Sequence, residues 1–300
     1  MLPSRILIAS LSFCIAGSAA GQQSAQGVSA PGSLFIVGGG SQPDELVSRF
    51  IELAGGRGRA RIAVVAIASS DPAGTGREKA DDLISRGADA FVLNLTREQA
   101  EGDSAVRLLH AATGIWFTGG DQLRVTLILA GTRAHRAMIE RYEQGAAIGG
   151  TSAGAAIMPD SMITGNQYRP LPDTNGYYGD EFPSLSRHSI EIVPGLGFLP
   201  GALVDQHFIR RERHNRLLSA TLERPALLGV GIDESTALEV RPDGTWQVRG
   251  ASAVTIYDAR RIPITGRAAP VLGATGVRLH LLPAGGTFDP RTGEARLPGS

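Results

Sequence analysis

From residue 33 onward, the chain alternates between short runs that are apolar throughout and longer segments in which apolar residues return every three or four positions. Ser33 to Val37, Arg61 to Ala68, Ala88 to Leu95, Gly114 to Phe117 and Ala146 to Gly149 show no polar alternation, so each predicts a strand buried on both faces. Asp44 to Ala54, Gly76 to Gly87, Leu123 to Leu129 and Thr132 to Gln144 predict helices. Strands of this kind separated by helices predict an α/β fold with a parallel sheet covered on both sides. Ligands of such sheets lie outside the carboxyl ends of the strands, so the loops after Val37, Ala68, Phe117 and Gly149 should converge on one site.

The pattern fails between Met158 and Pro194. Within that stretch, Thr164 to Phe182 reads as a long irregular loop whose Tyr168, Tyr177 and Tyr178 suit a lid, a subsite wall or a surface anchor. An apolar segment then runs from Gly195 to Val204, and a further buried strand, Leu227 to Ile232, ends in the acids Asp233 and Glu234. Arg241-Pro-Asp-Gly-Thr245 predicts a hairpin turn, and β structure is expected to continue to about Leu282. The Gly/Pro/Arg-rich segment 283–300 reads as a C-terminal tail, leaving a single domain over 33–282.

The N-terminus alters the address rather than the fold. Arg5, the apolar run Ile6 to Ala16 and the small residues Gly17 to Gly21 form the charged, apolar and cleavage regions of a secretory signal peptide, with processing expected after Ala20. Residues 21–32 would follow as a disordered leader, and the destination would be secreted or periplasmic, with no membrane anchor after cleavage. The only cysteine, Cys14, lies inside the signal segment, so the mature chain would have no disulfide, thiolate metal site or cysteine nucleophile. Lys+Arg and Asp+Glu number 29 each, so net charge gives no argument for nucleic acid as a partner. Lys79 is the only lysine, which reads as coding bias toward arginine.

The candidate chemistry sits where strands end. Gly150-Thr151-Ser152-Ala153-Gly154 fits Gly-x-Ser-x-Gly, a turn whose small residues let the backbone lift a serine hydroxyl above the sheet edge. The following helix would offer the Ala153 N–H to an oxyanion, and Gly119 or Gly120 could supply a second donor. Gln122 could hold a polar group of a substrate. Asp205-Gln206-His207 places three hydrogen-bonding side chains at another strand end, with Arg211, Arg213 and Arg216 close behind as candidates for capturing carboxylates. His110, His135 and His214 lie in helical surroundings that suit solvated or packing roles, and His207, at a strand end among hydrogen-bonding side chains and arginines, is the best candidate for the base. Asp233 or Glu234 could orient its imidazole, although a turn acid or helix cap explains Asp233 equally well. No histidine pair shows metal-ligand spacing beside an acid, so neither metal nor other cofactor is expected.

Phe117-Thr-Gly-Gly-Asp-Gln122, Gly149-Gly-Thr-Ser-Ala-Gly-Ala155, Pro194-Gly-Leu-Gly-Phe-Leu199, Asp205-Gln-His-Phe208 with its three arginines, and Gly229-Val-Gly-Ile-Asp-Glu234 occur here in order. Over roughly Ser33 to Leu282 they resemble the serine-peptidase family that holds cyanophycinase and aspartyl dipeptidase. The resemblance implies a three-layer α/β sandwich with a largely parallel sheet, class I glutamine-amidotransferase-like (flavodoxin-like), plus C-terminal β structure. It implies Ser152 as nucleophile, His207 as base and Glu234 as its acid, with Asp205 or an acid of the long loop as alternatives for the third role. Gln122, Asp205, Gln206, Arg211, Arg213 and Arg216 would line the substrate pocket. The implied activity is hydrolysis of β-aspartyl peptide bonds, with cyanophycin, a poly-aspartate bearing arginine on its side-chain carboxyls, cut to β-aspartyl-arginine. An isoaspartyl dipeptidase-like enzyme and a non-catalytic acidic-peptide-binding protein on the same scaffold are the alternatives, and a homodimer is left open. An α/β-hydrolase esterase is disfavoured, because that fold orders its triad serine, acid, histidine.

Overall fold

The computed structural model describes residues 31–168, 185–266 and 269–299. The signal segment and most of the leader therefore lie outside the described residues, as do Tyr177 and Tyr178 of the expected loop. The chain begins with β1 (Leu34–Val37), α1 (Asp44–Leu53), β2 (Arg61–Val65), α2 (Pro72–Ser85) and β3 (Asp89–Val92). Next come α3 (Arg97–Ala100), α4 (Asp103–His110), β4 (Gly114–Phe117), α5 (Gln122–Leu129), α6 (Arg133–Glu143), β5 (Ala147–Thr151) and α7 (Ala153–Ala156). β1, β5, β4, β2 and β3 pair in parallel in that spatial order.

The strands lack polar alternation because both faces are covered. Leu34, Ile36, Ala63, Val65, Ile115, Phe117 and Ile148 enter one core with Leu109 of α4, Val125 and Leu129 of α5, and Met138 of α6. Their neighbours Phe35, Val37, Ile62, Val64, Trp116 and Ala147 face the other way, against Phe50 and Ile51 of α1 and Leu83 of α2. The sheet is thus the middle of three layers. Gly149 makes room for the second core: a Cβ there would lie 2.7 Å from the Phe50 ring and 2.8 Å from that of Trp116. Those two aromatics meet edge to face with centroids 4.8 Å apart. The chain leaves β1 toward the α1 face and β5 toward the α7 face, so a crevice opens between the carboxyl ends of these adjacent strands.

The second half contains β6 (Ser161–Gln167), β7 (Ile190–Pro194), β8 (Ala202–Gln206), α8 (His214–Glu223), β9 (Leu228–Ile232), β10 (Thr236–Val240), β11 (Trp246–Gly250), β12 (Ala253–Asp258) and β13 (Arg278–Pro283). β10 and β11 extend the main sheet antiparallel from β1, joined by the expected turn at Arg241–Thr245. β13, β12, β9 and β8 form a second sheet, whose Val204, Val230, Ile232, Val254 and Ile256 join the first core. β8 and β9 run parallel, so their carboxyl ends deliver His207 and Glu234 together.

Two expectations need correction. Met158 to Pro194 is not patternless: β6 and β7 form an antiparallel hairpin with a register shift, so Thr164 to Gln167 are strand rather than loop. Tyr168 lies just beyond, bonded through its hydroxyl to Glu191 at 3.0 Å. The segment beyond Pro283 is also not merely a tail. β14 (Thr287–Asp289) and β15 (Glu294–Arg296) continue the main sheet past β11, and Phe288 is buried against Trp246. One aromatic in a polar, glycine-rich stretch gave too short a signal to be read as a strand.

Candidate active site

Ser152 stands directly after β5 with φ 54° and ψ −111°, a conformation that non-glycine residues rarely adopt. The surrounding backbone holds it there: its N–H donates to the Val37 carbonyl at 3.0 Å, and its own carbonyl accepts from Ala155 and Ala156. Both motif glycines are sterically required. A Cβ on Gly150 would lie 2.5 Å from the Gly154 carbonyl oxygen, and one on Gly154 would lie 2.4 Å from that of Phe117. The Ala153 N–H, in the first position of α7, is among the amides that a helix leaves without an internal partner.

His207 follows β8, also at positive φ (49°), with its N–H donating to the Gly38 carbonyl at 2.6 Å. Its ring lies over Gly39, where a Cβ would come within 2.3 Å of Cε1. The glycine run after β1 is therefore the bed of the imidazole, and Gly40 likewise faces Glu234, with 2.8 Å from a Cβ to the glutamate Cβ. Ser152 Oγ lies 2.9 Å from His207 Nε2, and Glu234 Oε1 lies 2.6 Å from Nδ1. With Nδ1–H donating to Glu234, Nε2 is left as the acceptor of the serine proton. Burial lowers the pKa of His207, the Glu234 hydrogen bond opposes that, and the charges of Arg211 and Arg213 add to the lowering. The imidazole is accordingly neutral at pH 7, the state a general base needs.

The profile of peptidase family S51 matches residues 34–248. This chain belongs to peptidase family S51. As a member it is a serine-type peptidase, and curated relatives agree. It is 36% identical over 256 residues to a cyanophycinase of Synechococcus elongatus, covering 83% of this chain and 75% of that one. Against the cyanophycinase of Geminocystis herdmanii it is 34% identical over 270 residues, covering 87% and 94%. Among solved structures, a peptidase from an acI-B1 actinobacterium superposes with a TM-score of 0.61 at 25% identity, over 86% of this chain and 97% of that one.

The other expected site residues of this S51 chain divide sharply. Asp205 is buried and paired with Arg216 through Nε at 2.8 Å and a second, shorter contact, so neither faces substrate. The expectation of Asp205 and Arg216 as pocket groups is thereby corrected, as is Asp205 as an alternative third member. Arg213 donates to the Gln206 carbonyl at 2.8 Å and lies 3.4 Å from Asp205, and burial with the charge of Arg216 pulls its pKa down to about 10. Arg211 is exposed and has no carboxylate partner among the described residues. Its charge nevertheless reaches His207. Gln206 is buried beside His207, with Oε1 unpartnered among the described residues.

Gln122 spends its amide N–H on the Ile163 carbonyl at 3.1 Å, which fastens β6 instead of reaching into solvent. Asp233 accepts from the Arg210 N–H and the Ser252 hydroxyl, so it is the turn acid and Glu234 the partner of histidine. Of the two glycines offered as oxyanion donors, Gly119 stands beside Ser152, at 3.3 Å from a Cβ position to the serine Cβ. Gly120 packs on the Ala68 carbonyl, where a Cβ would come within 2.1 Å. The run Gly38 to Gly40 signals in sequence only that a ligand or another loop approaches closely; that the neighbour is the His207 imidazole is visible only in the structure.

Proposed function

We propose that this S51 peptidase uses Ser152 as nucleophile, His207 as general base and Glu234 as the acid that orients the base, and that it degrades cyanophycin. The observation that carries the reading is the continuous relay from Ser152 Oγ to His207 Nε2 at 2.9 Å and from Nδ1 to Glu234 at 2.6 Å. As Oγ attacks a substrate carbonyl carbon, its proton passes to Nε2 and the carbonyl becomes an oxyanion facing the Ala153 N–H and the Gly119–Gly120 turn. Collapse of the intermediate expels the amine, which takes the proton from His207, and water then releases the acyl group by the same route. Release of β-aspartyl-arginine leaves the amide to arginine intact. The bond broken is therefore the main-chain amide between neighbouring aspartates, each bearing a β-linked arginine with a free α-carboxylate, and not the β-aspartyl bond expected from the resemblance, which only a β-aspartyl dipeptide would offer for cleavage. Arg211, whose charge reaches His207 and which has no carboxylate partner among the described residues, supports such a substrate.

The fold is proposed to be that of the class I glutamine amidotransferases, on the basis of its three layers and the nucleophile turn after β5. A secreted or periplasmic address is proposed from Arg5 and the apolar run Ile6 to Ala16. Incubation of the chain from residue 21 onward with cyanophycin and, separately, with a β-aspartyl dipeptide, followed by mass analysis, tests the activity. β-Aspartyl-arginine from the polymer is the expected product. Cleavage of the dipeptide alone would transfer the assignment to an isoaspartyl dipeptidase, and binding without cleavage would make the chain a binding protein.

A further inference from the structure

Beside the nucleophile turn, on the side facing α1 and α2, lies a cavity of about 310 Å³ that the proposed chemistry has not used. It shares Gly119 and Thr151 with the surroundings of Ser152 and is lined further by Gln42, Glu78, Lys79, Asp82 and Thr118. Its volume is at the lower end of the range for small-molecule sites, about 300–1,000 Å³.

Lys79 is largely buried at this cavity, its Nζ bonded to Gln42 Oε1 at 2.8 Å and Asp82 Oδ2 at 3.0 Å and lying 4.8 Å from the Trp116 ring centroid. An ammonium has three donors, and these contacts engage two. Asp82 is shared with Arg86, whereas Glu78 is exposed and has no cationic partner among the described residues. The hydroxyls of Thr118 and Thr151 are buried without a hydrogen-bond partner among the described residues. Burial of an unpaired hydroxyl is costly, and such groups mark sites completed by something else.

These groups do not suit a simple ion. An anion drawn to Lys79 would meet Glu78, and a cation drawn to Glu78 would meet Lys79. A molecule with a carboxylate and a cation at separate ends satisfies both, and a β-linked arginine has just those two groups. We propose that this cavity is a second substrate subsite, in which Lys79 takes the α-carboxylate and Glu78 the guanidinium of a β-linked arginine flanking the scissile amide. The inference rests on the cyanophycin reading. It places one substrate arm on the α2 side of Ser152 and leaves Arg211 for another on the His207 side.

The test uses three aspartate oligomers with β-linked arginine, citrulline (no cation) or agmatine (no carboxylate), each assayed for kcat/KM. Wild type should prefer arginine over each analogue by about tenfold. Glu78→Gln should bring the arginine-to-citrulline ratio to near unity and preserve the arginine-to-agmatine ratio, while Lys79→Met should lower the arginine-to-agmatine ratio severalfold, to the part that Arg211 maintains, and preserve the arginine-to-citrulline ratio. Persistence of either ratio through its matching substitution overturns the proposal, as does a wild type indifferent to both analogues. Glu78 is exposed, so its variant decides the matter even where loss of Lys79 impairs folding. A wild type that releases no β-aspartyl-arginine from any oligomer refutes the cyanophycin reading itself, an outcome distinct from cleavage with unchanged ratios.

Discussion

Replacing Glu234 by glutamine removes one charge from the relay and almost no volume. Glu234 Oε1 lies 2.6 Å from His207 Nδ1 and is the histidine's only hydrogen-bonded carboxylate among the described residues. An amide there can present its NH2 to Nδ1, favouring the tautomer whose proton sits on Nε2, where it cannot accept from Ser152. In a fully buried serine triad, the equivalent change lowers kcat about 10⁴-fold. The Glu234 side chain is 33% exposed, so solvent replaces part of the lost interaction. The expected loss is therefore roughly 10²–10³-fold in kcat, about 3–4 kcal/mol.

A second readout follows from sign. Glu234 raises the pKa of His207 against burial and the two arginines, so its removal lowers that pKa further. The acid limb of the kcat/KM profile, which reports His207 losing its proton in free enzyme, should move to lower pH while the plateau falls. Steady-state hydrolysis from pH 4 to 9 measures both, with Asp233→Asn as the control. Asp233 serves only Arg210 N–H and Ser252 among the described residues, so that variant should cost about 1 kcal/mol of stability and leave kcat within a few fold. A Glu234→Gln enzyme with kcat within about threefold of wild type and an unmoved acid limb would refute the relay.

Arg216→Met should destabilise the fold by about 3–5 kcal/mol in urea denaturation, because among the described residues the buried Asp205 keeps only the Gln206 N–H at 2.9 Å and, as its one cation, Arg213 at 3.4 Å; unchanged stability would show that Asp205 finds another cation. Arg211→Leu should lower kcat/KM for the arginine-bearing polymer about tenfold yet leave hydrolysis of an uncharged ester within twofold, and an equal loss on both substrates would return Arg211 to the solvent. Gly39→Ala puts a methyl group against the His207 ring at a φ of 116°, so hydrolysis should fall to background and the melting temperature should drop; normal turnover would mean that the imidazole does not rest there.

The elbow was legible because its constraint is local. Gly150 and Gly154 are needed for contacts within one turn and with β4, so the requirement is written in five consecutive residues. The parallel strands were legible for a related reason, since burial on both faces removes polar alternation from the run and leaves polar residues such as Arg61 and Asp89 only at strand ends. Roles that depend on the course of the chain were not legible. Asp205 and Arg216 are separated by a turn over 207–213, and only that turn aims the arginine back at the aspartate instead of at substrate. Nothing in the spacing distinguishes Arg216 from Arg211. Helix α4 buries only Ala105 and Leu109, too few positions to establish a period. The β6–β7 hairpin has a register shift that breaks simple alternation. Lys79 did leave a mark, as the single lysine among arginines, but its meaning depends on Trp116 and Asp82 lying beside it.

The central claim is that Ser152 is the nucleophile and His207 its activating base. The most direct measurement is covalent trapping: the protein is incubated with a fluorophosphonate, digested, and the modified residue located by mass spectrometry. The predicted result is one adduct on Ser152, forming in step with loss of hydrolysis, absent from Ser152→Ala and at least 10²-fold slower in His207→Ala. An adduct on another residue, or full loss of hydrolysis with Ser152 unmodified, would contradict the account.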